Sequence, residues 1–214
     1  MPWLLTLLCV VATFVGAVAA DPPVPNWGGN SEHYAFSVKA SFYDTADSPE
    51  HPTWDFDYFY DWNLKAERYD HKEGQHIDTC QVVDIVDEPC TVLSAADGNL
   101  YISSESKGCC QCVAAWAPLT VLPDWLDRNN ATYLGRSMEG GQEADGWVAY
   151  GNAANKYWAS TDSEQRFVKF WDNKNGKTKQ WNIHEYSGDT PPADLFNTPA
   201  NCDKRCPSKS NGCQ

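Results

Sequence analysis

Positive charge is scarce in this chain. Against 29 Asp and Glu it carries 16 Lys and Arg, a net charge of −13, and no stretch gathers the basic residues into a stripe. A phosphate backbone recruits protein through such a stripe, so nucleic acid is excluded as a partner. The acidic side chains are scattered singly, which keeps a protein soluble. Long apolar runs are missing after residue 20. The greasiest later stretch, Val113 to Leu126, is interrupted by Pro118 and Pro123, and a membrane span needs about 20 apolar residues. Catalytic signatures are missing too: there is no Gly-x-Ser-x-Gly elbow, no His-Glu-x-x-His and no phosphate-binding loop. His33, His51, His71, His76 and His184 lie apart, and only His71 with His76 could converge on a metal. The sequence reads as non-enzymatic, with no catalytic residues and no resident cofactor.

The first twenty residues carry no charged side chain, are nearly continuously apolar from Leu4 to Val15, and close on Ala17-Val18-Ala19-Ala20 before Asp21-Pro22-Pro23. A short apolar core followed by small residues is a cleavable signal peptide over residues 1–20. The mature chain, 21–214, then belongs outside the cytosol: secreted, with a lysosomal or other lumenal location as the alternative. Cysteine usage agrees. Cys9 leaves with the signal, and Cys80, Cys90, Cys109, Cys110, Cys112, Cys202, Cys206 and Cys213 remain. Eight cysteines allow 105 pairings. The cluster at Cys109 to Cys112 lacks two CxxC knuckles and a nearby His, so disulfides are expected rather than zinc. All eight should pair, with Cys80 and Cys90 joined across adjacent strands and the vicinal Cys109 and Cys110 taking different partners. With no linker and no internal repeat, residues 21–214 are expected to form one domain.

Patterning predicts strands. Tyr34 to Tyr43 alternates Tyr34, Phe36, Val38, Ala40 and Phe42 with smaller or polar residues. Trp54 to Trp62 alternates more sharply, with Trp54, Phe56, Tyr58, Tyr60 and Trp62 on one face and Asp55, Asp57 and Asp61 on the other. Period-two alternation of this kind is a half-buried strand whose acidic face meets water. Asn175-Gly176 predicts a two-residue hairpin, pairing Phe170 with Trp181 and Val168 with Ile183, flanked by Arg166 with Glu185 and Asp172 with Lys179. Asp97-Gly98 predicts another, with Leu93 opposite Ile102 and Ala95 opposite Leu100. Further strands are expected over Cys80–Asp84, Cys112–Trp116, Trp147–Tyr150 and Tyr157–Ser160, and no helix. Eight to ten antiparallel strands make an all-β fold of curved sheets, packed as a half-barrel or sandwich with a hydrophobic pocket.

Aromatic content is the informative excess. Nine of the ten tryptophans remain once Trp3 leaves with the signal. Large aromatic faces on curved sheets line ligand cavities, and the candidate pocket is Trp54, Phe56, Tyr58, Tyr60 and Trp62 with Phe170 and Trp181 from the hairpin. The alternative is an extracellular protein whose exposed aromatic faces stack on carbohydrate, or a calcium-dependent matrix or adhesion protein. The row Asp55, Asp57, Asp61 is read as a solvated sheet face. Asn130-Ala131-Thr132 is the one usable glycosylation acceptor.

Several short motifs carry a resemblance. Pro22-Pro23-Val24-Pro25-Asn26-Trp27-Gly28-Gly29 resembles the opening of the ependymin-related proteins. Asp97-Gly98-Asn99-Leu100-Tyr101-Ile102 running to Cys109 is similar to that family's turn, Tyr-bearing strand and cysteine. Leu122-Pro123-Asp124-Trp125-Leu126, Thr132-Tyr133-Leu134-Gly135 and Gly146-Trp147 resemble its central block, and Phe196-Asn197-Thr198-Pro199-Ala200-Asn201-Cys202 its closing Phe-x-x-Pro-x-x-Cys. The family's early cysteine is absent here, and the Cys109-Cys110-x-Cys112 cluster is extra. The resemblance implies a curved antiparallel fold similar to bacterial lipoprotein carriers, enclosing a deep hydrophobic pocket. It also implies a secreted or lysosomal glycoprotein that binds a lipid or other hydrophobic ligand, sometimes calcium, and often dimerises.

Overall fold

The computed structural model describes residues 20–29, 34–44, 54–74, 77–113, 120–151, 154–174 and 177–207. Residues 1–19, where the signal peptide is expected, Asn175 and Gly176, Cys213, and His33, His51 and His76 lie outside them. Eleven strands form one antiparallel sheet, one more than the upper expectation. These are β1 (Ala35–Asp44), β2 (Trp54–Asp61), β3 (Ala66–His71), β4 (Cys90–Ser94), β5 (Asn99–Ser104), β6 (Gly108–Val113), β7 (Thr132–Glu139), β8 (Gln142–Tyr150), β9 (Ala154–Ser160), β10 (Phe167–Lys174) and β11 (Lys177–Ser187). Their spatial order, β6-β5-β4-β3-β2-β1-β11-β10-β9-β8-β7, is two meanders joined by the β1–β11 pair. The sheet is curved and does not close, so the fold is the half-barrel rather than the sandwich.

Cross-strand partners explain the joints. Phe36, Val38, Ala40 and Phe42 stand opposite Tyr60, Tyr58, Phe56 and Trp54, so the two alternating runs put their apolar sets on one face. β10 and β11 pair Phe170 with Trp181 and Asp172 with Lys179, the register expected from an Asn-Gly turn. That ladder begins at Lys169, short of the expected Val168–Ile183 and Arg166–Glu185 pairs. Glu185 instead faces Lys39 of β1, and a bulge sits at Val168.

Three expectations are corrected. β4 and β5 pair Val92 with Ile102 and Leu93 with Tyr101, one residue away from the predicted register. The turn is longer than two residues: Gly98 N–H donates to Ala95 O, Asn99 O accepts from Ala95 N, and Gly98 has φ +80°. A turn ending on a left-handed glycine adds a residue to one strand, and a one-residue slip exchanges the two faces. Val92 and Ile102 therefore join the aromatic face, and Leu93 and Tyr101 the other. Second, Cys80–Asp84 is no strand but part of a helical turn, α1 (Asp78–Gln81), and the bend after it. His71 already pairs with Cys90, so residues 72–74 and 77–89 belong to an excursion from the end of the β3–β4 hairpin, and the ladder has no place there for another strand. Cys80 bonds Cys90 as expected, from a helix rather than a strand. Third, β2 stops at Asp61. Trp62 lies in the following turn, packed on the core with Lys65 Nζ 3.4 Å above its ring.

The C-terminal tail closes one edge of the sheet. Cys202 bonds Cys109 and Cys206 bonds Cys110, so the vicinal pair does take two partners. Adjacent strand residues point to opposite faces, and the tail passes from one face to the other around β6. As it crosses, Gln111 N–H donates to Lys204 O (2.8 Å) and Cys206 N–H to Gln111 O (3.0 Å). Those bonds occupy backbone groups that an edge strand otherwise leaves open. Cys112 is also disulfide-bonded. Before the crossing, Phe196 and Cys202 cover Leu93, Ala95 and Tyr101 on the outer face.

Candidate functional site

The inner face of the curve carries one continuous layer of aromatic rings. Phe56, Tyr58 and Tyr60 from β2 are fully buried there, and Trp54, Trp62, Phe170 and Trp181 are partly buried against them. Six of the seven predicted pocket residues extend from strands β2, β10 and β11, with Trp62 at the margin. Trp181 ties them together, with its ring 5.1 Å from Phe56, 5.7 Å from Tyr58 and 5.4 Å from Phe170.

Two segments outside the sheet roof this layer. One is the proline-rich arm, residues 21–29. Trp27 drops from it into the middle of the layer, only 3% exposed, and meets Phe36, Tyr58, Trp125, Tyr157, Phe167, Phe170 and Trp181. Gly28 makes the approach feasible. Its φ is +84°, and a Cβ there would lie 2.1 Å from the Phe36 ring, so only glycine lets the backbone press this close. The arm is tied by Gly28 N–H to Tyr157 Oη (3.2 Å), Trp27 N–H to Pro123 O (2.7 Å), Trp27 Nε1 to Tyr58 Oη (3.1 Å) and Gln165 Nε2 to Pro23 O (3.0 Å). The second segment is a strap, residues 120–131, which includes the helical turn α2 (Trp125–Arg128). It is pinned by Tyr60 Oη donating to Val121 O (2.7 Å) and Thr120 Oγ1 to Lys65 O (2.8 Å).

Sequence reasoning missed the polar members of this layer. All come from β3, whose Ala66-Glu67-Arg68-Tyr69-Asp70-His71 shows no apolar alternation. Its register with β2 nevertheless places Glu67, Tyr69 and His71 beside Tyr60, Tyr58 and Phe56. Glu67 accepts from Tyr58 Oη at 2.9 Å, and Tyr58 Oη accepts in turn from Trp27 Nε1 at 3.1 Å. Burial pushes the Glu67 carboxyl up to about 7, the bonds from Tyr58 and Val121 N–H opposing the shift. Burial, reinforced by the Glu67 charge, holds Tyr58 and Tyr69 well above the ordinary phenol range. His71 stacks on Tyr69 at 5.9 Å and packs against Phe56 and Phe42. Burial, with Lys179 adding to it, pushes its imidazole down to about 4, so it is neutral at physiological pH.

Two buried side-chain nitrogens in the described residues have no hydrogen-bond partner, His71 Nδ1 and Trp125 Nε1. An unmet buried donor or acceptor costs about 1–3 kcal/mol, and native proteins keep few of them.

The remaining predicted residues lie elsewhere. Asp55 is exposed on the outer face and Asp57 binds Lys72 at 2.5 Å. Asp61, expected in solvent, is buried at the strand end, where its Oδ1 accepts from Asn63 N–H (2.8 Å) and Leu64 N–H (3.3 Å) and caps the turn. Among the described residues, no three of His, Cys, Asp and Glu are grouped to hold a metal ion. His184 meets Ser41 Oγ at 2.9 Å on the outer face. Asn130 and Thr132 are both exposed, Asn130 in the bend that ends α2. No helix among the described residues is long and apolar enough to cross a membrane.

No family model matches this chain, and no curated protein does. Solved structures do. An uncharacterized conserved protein from Thermus thermophilus superposes with a TM-score of 0.50 at 9% identity, over 80% of this chain and 90% of that one. A MucA/MucB complex from Pseudomonas aeruginosa matches at TM-score 0.45 and 13% identity, over 81% of this chain and 59% of that one. A LolA superfamily protein from Nitrosomonas europaea matches at 0.40 and 9%, over 78% and 91%. The likeness is one of fold.

Proposed function

We propose that this is a secreted or lumenal, non-enzymatic protein that binds a lipid or other hydrophobic molecule on the aromatic inner face of its sheet. The observation that carries the reading is the roof. A half-open sheet that used its aromatic face only as core would need a second layer of regular structure to cover it. Here the covering is an arm of nine residues and a strap with one helical turn, held by a handful of hydrogen bonds. Lifting them exposes Trp27 and Leu126, and a ligand that buries its own apolar surface on the same face offsets that cost. Trp27 then serves as an internal occupant, filling the layer when no ligand is present and withdrawing with the arm when one enters. The ligand-facing residues are Trp54, Phe56, Tyr58, Tyr60, Trp62, Phe170 and Trp181, joined by Tyr69 and Trp125. The ependymin-related motifs are in keeping with a carrier, and the disulfides with an oxidising compartment. Glycosylation at the exposed Asn130 belongs to the same reading.

Gentle purification from a secreting eukaryotic host followed by native mass spectrometry tests this. The expected result is a folded chain carrying a stoichiometric apolar adduct, released on denaturation. A folded chain that is always empty, even after incubation with lipid extracts, would overturn the reading.

A further inference from the structure

The two unpartnered nitrogens are not scattered. Trp125 Nε1 comes from the strap and His71 Nδ1 from β3, yet both side chains belong to the same aromatic layer. Trp125 packs on Trp27 and Phe170, each at 6.0 Å. His71 packs on Phe56 at 5.6 Å and on Tyr69. One ring, Trp181, touches all four of those neighbours. The buried phenols nearby are engaged: Tyr58 with Glu67, Tyr60 with Val121 O and Tyr157 with Gly28 N–H. A lining that meets its other polar groups internally but leaves two nitrogens bare, each packed on rings that Trp181 also touches, keeps them for something that arrives.

Resting on the hydrophobe-binding reading, we infer that Trp125 Nε1 and His71 Nδ1 are the polar anchors of the ligand site. Its ligand class is then an apolar molecule carrying at least one acceptor oxygen, a carbonyl, ester or carboxyl, rather than a plain hydrocarbon. The chemistry of the indole fixes the sign of the requirement. A tryptophan nitrogen donates and never accepts, so the group it meets must offer a lone pair. A carbonyl that entered without that bond would leave its own desolvation uncompensated. Specificity of this kind comes from a few placed polar groups in an otherwise greasy site.

A matched pair of probes isolates the effect: 1-acetylnaphthalene and 1-ethylnaphthalene have nearly the same shape and differ at one position, C=O against CH2. Both are titrated into the full mature protein by tryptophan quenching, with melting temperature followed in parallel. The wild type is expected to bind the ketone at least as tightly as the hydrocarbon, although the ketone is better hydrated in water. Trp125→Phe should weaken the ketone roughly 3- to 10-fold, the size of one net hydrogen bond, and leave the hydrocarbon within about 2-fold. In the tautomer that carries the proton on Nδ1, the neutral His71 ring also donates, and His71→Phe should then weaken the ketone in the same way. Neither variant should melt below the wild type, because each removes a polar atom that has no partner. If Trp125→Phe misfolds, 3-benzothienylalanine at position 125 removes the N–H while keeping the ring shape. Equal losses for both probes, or a ketone preference that survives the substitution, would overturn the assignment and leave hydrophobe binding standing. Failure of both probes to bind the wild type, with the fold intact, would count against the broader reading and remove this one with it.

Discussion

Glu67 and His71 stand four residues apart on one face of β3, and burial moves their titrations in opposite directions. Glu67 rises from 4.5 to about 7, and His71 falls from 6.5 to about 4. Between pH 4.5 and 7 the unfolded chain has lost the Glu67 proton that the native state keeps, so this group's contribution to stability declines as pH rises. Between pH 4 and 6.5 the unfolded chain holds a His71 proton that the native state refuses, so the histidine's contribution grows as pH rises. Each is on the order of 3 kcal/mol at about 1.4 kcal/mol per pKa unit. The two slopes oppose each other over nearly the same window, and the wild type should be flat where either alone would tilt it. Glu67→Gln keeps an acceptor for Tyr58 and should unmask a stability that increases from pH 4.5 to 6.5. His71→Phe keeps the ring stack and should unmask one that decreases over the same range. Denaturant midpoints at pH 4.5, 5.5 and 6.5 for the three proteins check this. Parallel profiles would mean that the two groups do not titrate as buried residues.

At the scale of elements, the two edges of the sheet are treated differently. β7 leaves one edge with Leu134 and Met138 exposed, whereas β6 is bound by the tail through backbone bonds and two cystines. Cys206→Ala with Cys110→Ala removes a link spanning 96 residues. It should cost about 2–5 kcal/mol and expose the β6 backbone to hydrogen exchange ahead of the central strands. Protection of Gln111 equal to that of the wild type would show that the tail's hold does not depend on this bond. The same elements show what was legible beforehand. The β2 row and the β10–β11 register could be read because alternation and an Asn-Gly turn act locally. The β4–β5 register slipped because Asp-Gly fits both a two-residue turn and a longer one, and Gly98 chose the longer. β3 was invisible because its inner face is Glu, Tyr and His, whose place there is decided by pairing with β2 rather than by hydropathy. The antiparallel partner of the aromatic row could have been sought just past the short polar turn at Asn63. Trp27 gave no periodic signal at all, since it lies in an irregular arm whose position depends on Pro123, Tyr157 and Gln165, each far away in sequence. Cys80–Asp84, rich in valine, looked like a strand, and the pairing of His71 with Cys90 turned it into an excursion.

For the whole molecule, the architecture is a half-open sheet whose inner face is aromatic and whose roof is irregular chain. The tail locks one edge, and Trp27 completes the layer from the arm. The account's central claim is that the inner face takes a hydrophobic guest in competition with Trp27. A state that must first release its own side chain binds with an affinity lowered by the fraction of molecules already open. Removing that side chain should therefore strengthen binding rather than destroy it. Tyr58→Asp is a poorer test, because it would set a second buried carboxyl beside Glu67 and threaten the fold. The direct measurement is a fluorescence titration of N-phenyl-1-naphthylamine into wild-type protein and Trp27→Ala, with circular dichroism confirming that both are folded. The account predicts saturable binding of one probe per chain in the wild type, and binding about tenfold or more tighter in Trp27→Ala. A folded Trp27→Ala variant that binds the probe no better than an unrelated β protein would contradict it, and the aromatic layer would then be core alone.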